Sequence, residues 1–273
     1  MFLIDTHCHI NKEYYPDGLE KVFENALAND VKGMIFASAD IESSIEALNF
    51  VSAHKPMPEI KAIAGVHPHE AEKTASSYIS ELKEIASSDN VLAIGEIGLD
   101  YFYDNSPRDI QRKIFSEQIE LAGNICKPIV LHIRDAAMKF EGDANSETLA
   151  ILKEANADKI GGVVHCFSGE KKHAKAALDM GFYISFAGPI TFPKNQELRE
   201  IAMYVPSDRI LCETDSPYLA PQGYRGKPNE PCHVKSVYEM ISMLKGITTE
   251  EFSAQVFNNV RTVFKWEAAN VRV

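Results

Sequence analysis

No apolar run in the chain approaches the roughly 20 residues that cross a bilayer, which excludes a membrane-spanning segment. The first residues, Met1-Phe-Leu-Ile-Asp5, turn acidic at once without a basic region, so no signal peptide is expected. There is no basic run either: 28 Lys and Arg face 39 Asp and Glu, a formal net charge of −11. Proteins that hold duplex DNA passively along its backbone are usually basic, so that class is disfavoured. A phosphate-bearing substrate would need something other than a Lys/Arg surface to hold it. Bound divalent cations can do this, being often the largest local charges in a site. The five cysteines, Cys8, Cys126, Cys166, Cys212 and Cys232, form no Cys-x-x-Cys pair, and their number is odd. All but Cys232 lie in or beside apolar runs, and they read as small buried hydrophobes of a reducing cytosol. Repeats, low-complexity tracts and composition breaks are lacking as well, as is any exposed heptad or interface stripe. A single domain over residues 1–273, cytoplasmic and monomeric, is expected.

What is present is an ordinary globular composition, 45% hydrophobic and 25% charged over 273 residues. A short apolar run rich in Val and Ile is followed by an amphipathic stretch, and this unit recurs. The runs fall at 2–5, 31–37, 59–66, 91–97, 128–133, 159–166, 182–186 and 210–214. Helices are expected at 19–29, 41–53, 75–87, 107–125, 146–156, 170–180, 196–204 and 233–245, and a last one at 250–266. Pro107 fits the first helical position, with Ser106 as its cap. Eight strands alternating with eight helices over about 250 residues predict one (β/α)8 TIM barrel. Period alone does not separate it from a long open doubly wound sheet. The loops richest in Pro, Gly and Asn, 188–195 and 216–231, follow strands seven and eight, with shorter surface turns at 104–107 and 139–145.

The strand ends carry the chemistry. The first ends in Asp5-Thr-His7-Cys-His9, whose two histidines point to one side of an extended chain and can grip one ion. The fourth delivers Glu96 after Val91-Leu-Ala-Ile-Gly95, where a carboxylate is costly unless paired or metal-bound. Gly95 and Gly98 leave room for close backbone approach. His132, His165 and Asp215 end the fifth, sixth and eighth runs. Each alone suits a structural role; five strand ends doing this together do not. In a barrel, C-terminal strand ends face one site. Imidazole and carboxylate suit Zn, Mn, Fe, Ni or Mg. Six ligands exceed the need of one catalytic ion but suit two that share a carboxylate, and Glu96 is the natural bridge. Such a pair supports hydrolysis, with Asp215 placed to position or deprotonate the attacking water. His67 and His69 are substrate contacts or rim histidines, and Arg134 and Arg225 hold an anion or form surface ion pairs. Glu213 is a candidate to orient a metal-bound histidine, although a strand neighbour of Asp215 should point away. Tyr101 and Tyr103 are candidates to stack on a base or to pack.

Together the stretches Asp5-Thr-His-Cys-His9, Gly65-Val-His-Pro68, Gly95-Glu-Ile-Gly-Leu-Asp100, His132-Ile-Arg-Asp135, His165-Cys-Phe-Ser-Gly169, Glu213-Thr-Asp-Ser-Pro-Tyr-Leu-Ala-Pro221 and Arg225-Gly-Lys-Pro-Asn-Glu-Pro231 resemble the TatD family of metal-dependent deoxyribonucleases over almost the whole chain. The resemblance implies an amidohydrolase-type TIM barrel. It implies His7, His9, Glu96 and Asp215 around one metal, and Glu96, His132 and His165 around the other. It further implies hydrolysis of DNA phosphodiesters, often from the 3′ end of single strands, with Mg or Mn supporting activity and phosphate contacts from His67 and Arg134. Pro228 departs from the pattern, since relatives often carry a basic residue there. Two other classes stay open: a metal-dependent amidohydrolase or esterase acting on small molecules, which the acidic balance favours, and a silent scaffold, against which six intact ligand positions argue.

Overall fold

The computed structural model describes residues 1–9, 12–54, 57–136 and 142–267. Eight strands lie in one sheet in the order β1 to β8. They are β1 Leu3–Cys8, β2 Val31–Phe36, β3 Glu59–Ala64, β4 Val91–Asp100, β5 Ile129–Arg134, β6 Gly162–Val164, β7 Tyr183–Phe186 and β8 Ile210–Cys212. Helices alternate with them: α1 Leu19–Ala28, α2 Ile41–Ala53, α3 Tyr78–Ala86, α4 Arg108–Asn124, α5 Ala144–Glu154, α6 Lys171–Asp179, α7 Gln196–Tyr204 and α8 Val234–Lys245, with α9 Thr249–Phe264 closing the series. Neighbouring strands pair in parallel. Next to β1, on the side away from β2, the Asp215 N–H donates to the His7 carbonyl (2.9 Å) and the His9 N–H to that of Ser216 (2.7 Å), just past β8. The fold is the (β/α)8 barrel that the eightfold alternation predicts, and an open doubly wound order is ruled out.

By packing, the chain divides into two compact units. The first comprises Met1–Phe36, His54–Lys61 and Ser185–Val273. Its interior is sealed by α8 and α9. The Tyr238 hydroxyl, fully buried, accepts from the Ile4 N–H and donates to the Ile4 carbonyl, so the polar tip of a large aromatic is satisfied by β1 itself. Asn259 on α9 donates to the carbonyls of Ser207 and Ile210, both at 2.8 Å, where β8 begins.

The second unit comprises Ala37–Ala53 and Ala62–Ile184. All ten residues of β4 are buried, as parallel strands covered on both faces require. Helix α4 buries Gln111, Ile114, Phe115, Gln118, Ile119 and Ala122, a helical stripe interrupted by two amides. Those amides satisfy backbone groups at strand ends, where the ladder leaves them open. Gln118 accepts from the Val66 N–H (2.7 Å) and donates to its carbonyl (3.0 Å). Gln111 accepts from the Asp100 N–H (2.9 Å) and donates to the carbonyls of Asp100 and Ser106.

Several boundaries differ from the sequence reading. Strands β1 and β4 run on through His7 and Asp100, because their polar ends find partners inside the protein. β6 is only three residues long, since a 3-10 turn at Ala157–Lys159 and a left-handed Gly161 (φ 71°) precede it and a left-handed Cys166 (φ 44°) follows it. Pro107 caps α4 rather than opening it. Ser106 gives its hydroxyl to the His69 carbonyl (3.0 Å) and accepts from the Glu72 N–H, so it is no helix cap. Cys126 is exposed at a left-handed turn and Cys232 is buried, the reverse of what their flanks suggest. Residues 139–141 of one expected surface turn lie outside the described residues. No helix of the described residues is long and apolar enough to cross a membrane.

The close backbone approach expected at Gly98 is made by β5. The φ of Gly98 is 145°, and a Cβ there would lie 2.0 Å from the His132 carbonyl oxygen. Gly98→Ala should cost more than about 2 kcal/mol, lowering the melting midpoint by roughly 4–8 °C. Gly161→Ala, also at positive φ (71°) but with open space around it, isolates the conformational part of that cost. Similar losses in the two variants would show that the clash contributes nothing.

Candidate metal-binding site

Glu96 is the centre of the cluster in the second unit. It is 97% buried, and its N–H donates to the Ser38 carbonyl at 3.3 Å. Its Oε1 lies 2.7 Å from His132 Nδ1, 2.6 Å from His165 Nε2 and 3.6 Å from His67 Nε2. The two nearer nitrogens are 3.4 Å apart. An isolated buried carboxylate costs several kcal/mol, and this one is offset by a ring of imidazoles. β5 brings His132, two residues before Arg134. His165 follows β6, its N–H donating to the Leu131 carbonyl at 3.1 Å.

The other nitrogen of His132 settles its orientation. Its Nε2 lies 3.0 Å from Asp100 Oδ2, which is also 2.9 Å from His69 Nε2. With Asp100 accepting the Nε2–H, Nδ1 is the nitrogen turned to Glu96, and its lone pair becomes available to a cation once the proton it shares with that carboxylate leaves. Burial disfavours the His132 imidazolium, but hydrogen bonds to Asp100 and Glu96 together raise its pKa above the usual value. Burial likewise opposes ionisation of Asp100, yet its bonds to His132 and His69 outweigh this and hold its carboxyl well below the usual range. His67 differs. Burial first, and then the neighbouring His132, keep it neutral. Its Nδ1 accepts the His69 N–H at 3.1 Å, so the proton sits on Nε2, making that atom a donor rather than a metal ligand.

The first unit holds a second cluster. The rings of His7, fully buried, and His9, partly exposed, lie 5.1 Å apart on the same side of the β1 end, as residues two apart should. Asp215 Oδ1 is 3.3 Å from His9 Nε2 and 3.9 Å from His7 Nε2. Asp215 has φ 56°, a left-handed conformation that Asp tolerates better than most residues. Asp5 fixes this spacing. It is fully buried and accepts from the Thr214 N–H (2.9 Å), the Thr214 hydroxyl and the His7 N–H (3.3 Å). Burial raises its pKa well above normal, against the opposing bonds from Thr214. Asn229, also fully buried, donates to the carbonyls of Thr214 and Tyr218 and so closes the loop after β8.

In His67, Glu96 and His132, and in His7, His9 and Asp215, one ligand-capable atom from each residue lies within 4.8 Å of the others. Imidazole with carboxylate is a donor set that Mn, Fe, Ni and Zn accept and Mg tolerates. Both clusters therefore fit divalent ions, with His165 replacing His67 in the second unit on the tautomer argument above.

The remaining predicted residues separate clearly. Arg134 lies over the rings of Phe102 (4.3 Å from the centroid) and Tyr103 (4.8 Å), and no carboxylate among the described residues pairs with it. Arg225 is exposed over Phe192, 5.0 Å from its centroid, and makes no hydrogen bond or ion pair with His7, His9 or Asp215. Tyr101 is buried and donates to Glu147 at 2.5 Å, so it cannot stack on a base. Glu213 accepts from the Ser185 hydroxyl at 2.6 Å. Sequence reasoning assigned no role to Asp5, Asp100 or Phe102. Acids ending or interrupting apolar runs were a usable signal for the first two, while Phe102 had none.

Strand-end imidazoles and carboxylates on a (β/α)8 barrel define the class of metal-dependent hydrolases. Comparison with known proteins narrows this. The model of the family described as TatD related DNase matches residues 4–265. YabD of Bacillus subtilis, named an uncharacterized metal-dependent hydrolase, is 38% identical over 263 residues, covering 96% of this chain and 99% of that protein. A protein of Pantoea vagans named 3'-5' ssDNA/RNA exonuclease TatD is 30% identical, with 96% and 99% covered. The crystal structure of YJJV, a TatD homologue of Escherichia coli, superposes with a TM-score of 0.87 at 28% identity, covering 97% of this chain and 98% of that one. The chain belongs to the TatD-related DNase family and is a metal-dependent hydrolase.

The His132 geometry generates a prediction. Asp100→Asn leaves one acceptor oxygen, and with that oxygen kept by the Phe102 and Tyr103 N–H groups its NH2 faces His132, so the tautomer is no longer fixed and divalent-metal affinity should fall by about 10–100-fold. In the wild type, an ion must displace the proton that His132 Nδ1 shares with Glu96. Binding should therefore release protons and weaken as pH falls below the raised His132 pKa. Titration calorimetry in two buffers of different ionisation enthalpy measures both effects; proton-free binding would contradict the arrangement.

Proposed function

We propose that the protein hydrolyses phosphodiester bonds of DNA, working inward from the 3′ end of single strands with two divalent ions. The observation that carries this reading is Arg134. It is a cation laid on two aromatic rings without a carboxylate partner among the described residues, on the same strand as His132. Such a group is available to a phosphate. The name of the Pantoea vagans relative, 3'-5' ssDNA/RNA exonuclease, supports it.

In this reading His7, His9 and Asp215 would hold one ion, and Glu96, His132 and His165 would hold the other. The family resemblance implies that Glu96 would serve the first ion as well. When bound, divalent ions here would polarise a phosphoryl oxygen and lower the pKa of the attacking water. Asp215 orients the attacking water and takes its proton on a carboxylate oxygen. His67 donates its Nε2–H to a non-bridging phosphate oxygen. Arg134 offers its fork of N–H groups to the same phosphate, and Arg225 holds an anionic group further along the strand. A second reading, a small-molecule amidohydrolase or esterase, is favoured by the net charge of −11, because the same ions polarise a carbonyl.

The test is to strip the protein of metal, restore Mg or Mn, and offer 5′-labelled single-stranded DNA beside a panel of amides and esters. Shortening from the 3′ end that disappears in Glu96→Ala is expected. Turnover of an amide or ester with inert DNA would contradict the phosphodiesterase reading. Arg134→Ala should raise KM for DNA about 10–100-fold, the value of a charged hydrogen bond, while metal content stays at the wild-type level. Loss of an ion in that variant would assign Arg134 to the metal site instead.

A further inference from the structure

The loop that follows β4 carries two aromatic side chains that the reaction as described leaves without a role. Phe102 is 42% exposed and Tyr103 53% exposed. Large apolar rings so open to water are usually mobile or partnered. These are held in place. The N–H groups of both residues donate to Asp100 Oδ1, each at 2.9 Å, while Oδ2 of the same carboxylate is bonded to His69 and His132. One buried carboxylate thus ties the loop to the histidine cluster through a single side chain. The two rings meet edge to face, with centroids 4.9 Å apart and planes at 77°. Tyr103 also meets the His69 ring edge-on at 5.4 Å. The Arg134 guanidinium lies over both rings, and the register of the sheet pairs its backbone with that of Asp100.

Resting on the phosphodiesterase reading above, we infer that Phe102 and Tyr103 form a stacking platform for one unpaired nucleobase of the substrate, one ring meeting the face of the base and the other its edge, the base being the one attached to the phosphate that Arg134 holds. The chemistry of the parts is what a nucleotide presents. A guanidinium meets the phosphate, and an exposed, fixed π-surface meets the base a few ångströms away. Every base has a π-face, so the platform tolerates any sequence. A base within a duplex is stacked on its neighbours and is not free to occupy it. A preference for single strands or frayed ends then follows from the platform, without the basic surface that this acidic chain lacks. Asp100 is a positioning residue for the platform as well as for His132.

The test compares two substrates with the metal-loaded enzyme: a single-stranded oligonucleotide, and the same oligonucleotide with an abasic residue at its 3′ end. Stacking on an aromatic side chain is worth enough to lower kcat/KM about tenfold or more when the ring is removed. Tyr103→Ala and Phe102→Ala should each show that loss on the natural end, mainly through KM, and little loss on the abasic end. Tyr103→Phe should retain wild-type behaviour. Unchanged melting midpoint and metal content in the alanine variants confirm that the fold and the clusters persist. Equal losses on both ends, or none on either, would overturn the platform while leaving the phosphodiesterase reading intact. A wild-type enzyme inert on both oligonucleotides would overturn the two together.

Discussion

A carboxylate buried behind an apolar strand is the constraint around which the second unit is arranged. Glu96 follows four buried apolar residues of β4 and a glycine. Left alone, its charge would cost several kcal/mol. The unit supplies imidazole nitrogens at 2.6 and 2.7 Å, and glycines at positions 95 and 98 let the neighbouring strand come close enough to provide one of them. A purely structural carboxylate would be satisfied more simply by backbone N–H groups. Surrounding it with imidazoles, one of them held by a second acid, suits a centre that binds a cation.

The two units use similar devices. In each, a fully buried aspartate at or near a strand end anchors backbone N–H groups with one oxygen and side chains with the other. Asp5 joins Thr214 and His7, and Asp100 joins Phe102, Tyr103, His69 and His132. Their ionisation differs for a clear reason. Asp100 faces imidazoles that favour its charge, and its pKa is depressed. Asp5 faces only neutral donors, and burial prevails, raising its pKa. Asp100 is thus fitted to set the tautomer of a ligand, whereas Asp5 is fitted to hold two chain segments at a set spacing.

Much of this was legible in the sequence. The alternation of short Val/Ile runs with amphipathic stretches gave the strand count and order, because burial on both faces of a parallel strand leaves a continuous apolar run. The residues at strand ends stood out because a polar group there breaks such a run. Other features were hidden for physical reasons. Gln111 and Gln118 fall on the buried stripe of α4, and only the open backbone groups at Val66 and Asp100 explain them. The shortness of β6 depends on left-handed residues on either side of it, Gly161 and Cys166, and the second gives no strong local signal. His67 and His69 could not be told apart by position. The backbone bond to His67 Nδ1 and the Asp100 bond to His69 assign them different work. Tyr101 and Tyr103 are two residues apart in similar company, yet one is buried on Glu147 and the other is open to water. Only packing distinguishes them.

The most direct measurement is the metal content of the purified protein and three variants, by elemental analysis after equilibration with Mn. If the buried carboxylate exists to hold cations and serves both of them, the wild type carries two ions per chain. His7→Ala and His132→Ala should then each retain about one, and Glu96→Gln, which keeps the shape and removes the charge, should lose both. A Glu96→Gln protein that still binds two ions would show that the carboxylate is structural.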